Sequence, residues 1–214
     1  MKNDYMYDVL STISAMWVVL PLLIGFIKKK YFNNAEKVLL CLTALSFITE
    51  TIALILNERN MNNMYVYRIY TVLEFALISL FYILILSSSR FKPFIIATIS
   101  FFTVFGIYDF LNHSDTMDNI ATTMESIIVI IYSILGFHSM LKNPVHTRVR
   151  SIPLFWFNSA FLLYFAGNLF LFIFCSYILR HHHRTFNELW GIHSVMNILF
   201  YVLISVGFWK TKAR

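Results

Sequence analysis

Charge is what this sequence has least of. Only 13% of its 214 residues are Asp, Glu, Lys or Arg, against about 25% in an ordinary soluble domain. A soluble core of this length does not explain the deficit. With 58% hydrophobic residues and a mean hydropathy of +0.67, the chain fits one that lies mostly in lipid. Cysteine is scarce as well. Cys41 and Cys175 both sit inside apolar runs, so they make a poor disulfide and are expected to be small packing residues. Proline occurs four times. Pro93 and Pro153 stand where helices would open and a missing N–H costs nothing. Pro144 lies in a loop, and Pro21 can kink the first apolar run. A cleavable leader is not expected, because MKNDYMYD is mixed in charge and no A-x-A site follows the first apolar run.

What is present is a series of seven apolar segments. They run roughly Tyr7–Ile27, Lys37–Leu56, Tyr65–Leu86, Pro93–Leu111, Asn119–Leu141, Pro153–Leu179 and Glu188–Trp209. Each is about 19 to 27 residues, enough to cross a bilayer at 1.5 Å per residue. The connectors are short, so successive helices are expected to be antiparallel neighbours in one all-α domain over residues 1–214. There is no internal repeat and no low-complexity tract.

Lys and Arg placement predicts the orientation. With the N-terminus outside, the inner side holds Lys28, Lys29, Lys30, Lys37, Arg90, Lys92, Lys142, Arg148, Arg150, Lys210, Lys212 and Arg214. The outer side holds Lys2, Arg59, Arg68, Arg180 and Arg184. The net charge of +6 is therefore loop charge facing the cytoplasm, and no nucleic-acid partner is implied. Trp17, Trp156, Trp190 and Trp209 are candidate interfacial anchors.

The polar residues inside these segments need partners, since hydrocarbon supplies none. Glu50, Glu74, Glu125 and His193 lie on four different helices. Counted from the outer helix ends, all four fall about 9 to 14 Å below the outer surface, with Asn168 and Asn197 roughly 15 Å down. Helical spacing then groups them into stripes: Thr43, Ser46 and Glu50; Tyr67, Tyr70 and Glu74; Thr122, Glu125, Tyr132 and Gly136; Tyr164 and Asn168; Trp190, His193, Asn197 and Tyr201. The simplest packing turns these stripes toward one another around an outward-facing polar cavity. Its expected ligand-binding residues are Glu50, Tyr67, Tyr70, Glu74, Glu125, Tyr164, Asn168, His193 and Asn197. Asn158 lies nearer the cytoplasmic end on another face and is expected to tie helices together. Asp109, near an outer helix end, is expected to meet water.

Several chemistries can be ordered by residue type. Retinal is disfavoured, because the last helix has no lysine before Lys210. Two-histidine haem ligation is disfavoured, because His138 and His193 sit at opposite depths. A divalent metal could use Glu74, Glu125 and His193, although no spaced ligand motif supports it, and no cofactor is expected. The run His181–His183, with His113 and Asp115, reads as a polar outer loop. A Glu–His pair out of bulk water can hold or pass a proton, which suits sensing, hydrolysis and proton- or cation-coupled transport alike. Transport lacks a visible inverted repeat or a pair of Gly/Pro-broken helices.

The stretches YRIYTVLEF (67–75), PLFWFNSAFLLYFAGNLFLF (153–172) and LWGIHSVMNILF (189–200) resemble a group of small seven-helix membrane proteins of Bacteroidota. The likeness implies a seven-helix bundle in a bacterial inner membrane. Related seven-helix modules can precede histidine-kinase domains, which implies sensing of a small periplasmic ligand together with a membrane or cytoplasmic signalling partner. The architecture, though not the motifs, is also similar to lysoplasmalogenase-like membrane hydrolases.

Overall fold

A computed structural model describes residues 2–86, 91–113, 120–142, 151–181 and 183–212. The described residues form helices and no strands. They are α1 (Lys2–Met16), α2 (Val19–Lys28), a 3₁₀ turn (Lys29–Tyr31), α3 (Asn34–Glu58), α4 (Met64–Ile85), α5 (Lys92–His113), α6 (Ile120–Lys142), α7 (Pro153–His181) and α8 (His183–Lys210). Seven spans are long and apolar enough to cross a membrane, the first being Val9–Tyr31 across the α1/α2 break. The chain is thus a multi-pass membrane protein built as a seven-helix bundle.

That break is proline chemistry. Pro21 has no N–H to give the Trp17 carbonyl, four residues back. The carbonyl instead accepts the Leu20 N–H at 3.1 Å, a tighter turn than an α-helix makes. The start of α3 is fixed by a capping box. The Asn33 side chain accepts from the Glu36 N–H at 2.9 Å, and the Glu36 carboxylate accepts from the Asn33 N–H at 2.8 Å. The second Glu36 oxygen takes the Thr211 hydroxyl at 2.9 Å, tying the end of α8 to the start of α3. The α3 helix ends on Asn60 at φ 55°, where the Met61 N–H reaches back to the Leu56 carbonyl at 2.9 Å. Asparagine tolerates that left-handed conformation.

In the packing, α8 lies against α7, α1 and α2, α6 against α7, and α4 against α3, α5 and α6. A stack of aromatic rings fills the centre. Phe75, Phe81, Tyr82, Phe157, Phe161, Phe165 and Phe208 are each at most 1% exposed. The outside is apolar too. On α5, Phe101, Val104, Ile107 and Leu111 are all exposed along one stripe, the pattern of a surface that faces lipid rather than water.

Two expectations change. Cys41 is exposed on the outer, lipid-facing surface instead of packing inside, and the side chain of Cys175 lies outside the described residues. Asp109 does not sit in water. It is 5% exposed and forms an ion pair with Arg68 of α4. A largely covered guanidinium one helix away is the partner that a near-terminal aspartate needs in a low-dielectric setting. The side chains of His113 and His181–His183, and all of Asp115, lie outside the described residues.

Candidate functional site

Six helices supply the walls of one cavity of about 230 Å³. The helix α3 contributes Glu50, and α4 contributes Tyr67, Tyr70 and Glu74 at i, i+3 and i+7. Thr122 comes from α6 and Tyr164 from α7, while His193, Asn197 and Tyr201 come from α8. Of the nine residues expected from the sequence, seven line this space: Glu50, Tyr67, Tyr70, Glu74, Tyr164, His193 and Asn197.

The other two stand behind the wall. Asn168 is 0% exposed. Its amide nitrogen donates to the Tyr164 carbonyl at 2.9 Å, which turns its oxygen toward His193 Nδ1 at 3.1 Å. An amide oxygen only accepts, so Nδ1 carries the proton, and in the neutral ring Nε2 is the acceptor. Asn168 therefore orients the imidazole and is not itself part of the lining. Aromatic rings hold the same imidazole. Trp190 lies 4.8 Å away, and Tyr164 and Phe172 lie 5.9 Å away, centre to centre. Trp190 is thus a packing residue of the site rather than only an interfacial anchor.

Glu125 is 1% exposed, and neither of its carboxyl oxygens has a hydrogen-bond partner among the described residues. It sits three residues, one helical turn, beyond the lining residue Thr122 on α6. The lower part of that predicted stripe does not reach the cavity. Tyr132 pairs its hydroxyl with Thr98 of α5, and Gly136 packs under Asn158. A stripe only says which residues share a face. The crossing of α6 over α4 and α7 carries its far half away from the cavity.

The two lining carboxyls are held by tyrosines. Tyr70 donates to Glu74 at 2.9 Å and also contacts the Ser46 hydroxyl at 2.8 Å. Tyr67 donates to Glu50 across a longer 3.4 Å. The α4 stripe thus presents phenol donors to acids from two helices.

Sequence reasoning missed the contribution of α1. Ser11, Ser14 and Ala15 line the cavity, and Asn197 donates to the Ser14 carbonyl at 3.3 Å. Small residues in an amphipathic first segment carry little signal, although a serine pair at i, i+3 facing inward was readable. Asn158 behaves as expected. It accepts from Tyr82 at 2.7 Å and donates to the Ser133 carbonyl at 2.8 Å, and Tyr82 also contacts the Ser133 hydroxyl at 3.0 Å. This second polar network is wholly buried, and the described residues satisfy it.

Among the described residues, no three of His, Cys, Asp and Glu gather closely enough to hold a metal ion. The trio Glu74, Glu125 and His193 is not brought together in that way. Comparison with family models, curated proteins and solved structures gives no match.

Proposed function

We propose that this is a protein of a bacterial cytoplasmic membrane, with its N-terminus outside, whose cavity binds a small ligand or cation from the outer side and signals its presence to a partner. The observation that carries the reading is the convergence of Glu50, Glu74, Tyr67, Tyr70, His193 and Asn197, from three helices, on one cavity. Polar side chains that merely tie helices together satisfy one another and leave no room, as the Tyr82–Ser133–Asn158 network does. Around the cavity the polar groups surround empty volume instead, which is the usual form of a small-molecule site.

The orientation is supported by where the cationic side chains sit. Lys28 lies over the rings of Tyr31 and Trp209, at 5.8 and 5.2 Å, and Lys210 lies 5.6 Å from Trp156. These belong to the C-terminal ends of α2 and α8 and the N-terminal end of α7, one end of the bundle. Lysine with tryptophan at one membrane face fits the cytoplasmic interface. The cavity is lined by the N-terminal half of α4 and by Trp190 to Tyr201 of α8, toward the opposite end of the bundle.

A single cysteine tests both statements. In a Cys41→Ser/Cys175→Ser background, Ser14→Cys is treated with a small membrane-impermeant thiosulfonate. Modification from outside intact cells is expected. Modification only after the cytoplasmic face is exposed, or none from either side, would refute an outward-opening cavity.

A further inference from the structure

The chemistry of the lining narrows the ligand, on the premise that the cavity is a binding site. Two carboxyls, Glu50 and Glu74, face the space, and among the described residues its lining contains no Lys or Arg. Their described hydrogen-bond partners are phenols, not cations. The basic side chain among its described lining residues, His193, has Nδ1 engaged by Asn168. Behind the wall, Glu125 is buried with both oxygens unpartnered among the described residues. An anion would find carboxyl oxygens and no described Lys or Arg to pair with, whereas a cation would favour the charged form of the carboxyls it meets.

Aromatic rings form a second part of the wall. Tyr164, Phe172, Trp190 and Phe200 line the same cavity. A bare metal ion gains too little from such faces to replace its water shell, and it needs oxygens all around it. An organic ammonium uses both kinds of wall: carboxylates for its charge, and ring faces for its charge and for its apolar body. The volume fits as well. About 230 Å³ equals the share of roughly eight waters in the liquid. That is too large for a naked ion and small for a drug-sized ligand.

We infer that the ligand is a small organic ammonium ion, a protonated amine or quaternary ammonium, held between Glu50, Glu74 and the aromatic walls.

Three probes of nearly one shape and different charge test this on the whole protein in lipid nanodiscs, read by calorimetric titration. They are choline, the uncharged 3,3-dimethylbutan-1-ol and the anionic 3,3-dimethylbutyrate. Choline is expected to bind at least tenfold more tightly than the alcohol, with the anion weakest. In Glu74→Gln the advantage of choline over the alcohol should fall at least fivefold. If that variant does not fold, the comparison on the parent protein still decides. Equal binding of choline and the alcohol, or preference for the anion, would overturn the ammonium assignment and leave the cavity a binding site. Binding of none of the three would overturn the ammonium assignment and the binding-site reading together.

Discussion

Replacing Gly207 with alanine is expected to destabilise the bundle, because at this position α8 approaches α7 too closely for any side chain. A Cβ built on Gly207 would lie 2.2, 2.5 and 2.8 Å from three atoms of the Phe157 ring. Ordinary contact begins at 3.4 Å, so the ring or the helix must move by 3.4 − 2.2 = 1.2 Å. The ring is not free to do so. Phe157 is 1% exposed, and its ring packs edge-on against Phe81 at 6.2 Å and Phe208 at 5.3 Å. Overpacking of a filled core costs about 1–3 kcal/mol, and the upper part of that range is expected here. Gly167 is the internal control. Its nearest neighbour is the Met196 sulfur at 3.0 Å, the end of a flexible chain that can move aside, so Gly167→Ala should cost less than about 1 kcal/mol. Reversible unfolding in mixed micelles measures both, and Phe157→Leu should recover part of the Gly207→Ala loss. The reasoning fails if Gly207→Ala matches the parent protein, or if the two glycine variants are equally harmful.

Two further outcomes follow from the buried polar groups. Tyr82→Phe removes the hydroxyl shared by Asn158 and Ser133 and should cost about 1–2 kcal/mol in the same unfolding assay without altering probe binding in the cavity; a loss of probe binding would show that the two networks are coupled. Asp109→Leu removes one carboxylate from the Arg68 guanidinium and should cost about 1.5–3 kcal/mol. Arg68→Leu/Asp109→Leu should be markedly more stable than Asp109→Leu alone, and strictly additive losses in that cycle would contradict a true ion pair.

The sequence alone determined the membrane class, the seven spans and the spacing of the polar groups along each helix. Lipid allows only long apolar helices, and a helix advances a fixed 1.5 Å per residue, so hydropathy and counting suffice. The α4 stripe of Tyr67, Tyr70 and Glu74 was legible for the same reason. Tertiary structure alone decided which stripes meet. Helix rotation and neighbour order are set by close approaches such as Gly207 on Phe157 and Gly136 under Asn158, and these involve pairs of helices that no single periodicity describes. Those contacts send Tyr132 and Gly136 to the packed half of the bundle and place Asn168 behind His193. They leave Glu125 outside the lining and bring Ser11 and Ser14 of α1 into it. They also join Arg68 to Asp109 across α4 and α5, 41 residues apart in the chain, a pairing that only the packed helices can bring about.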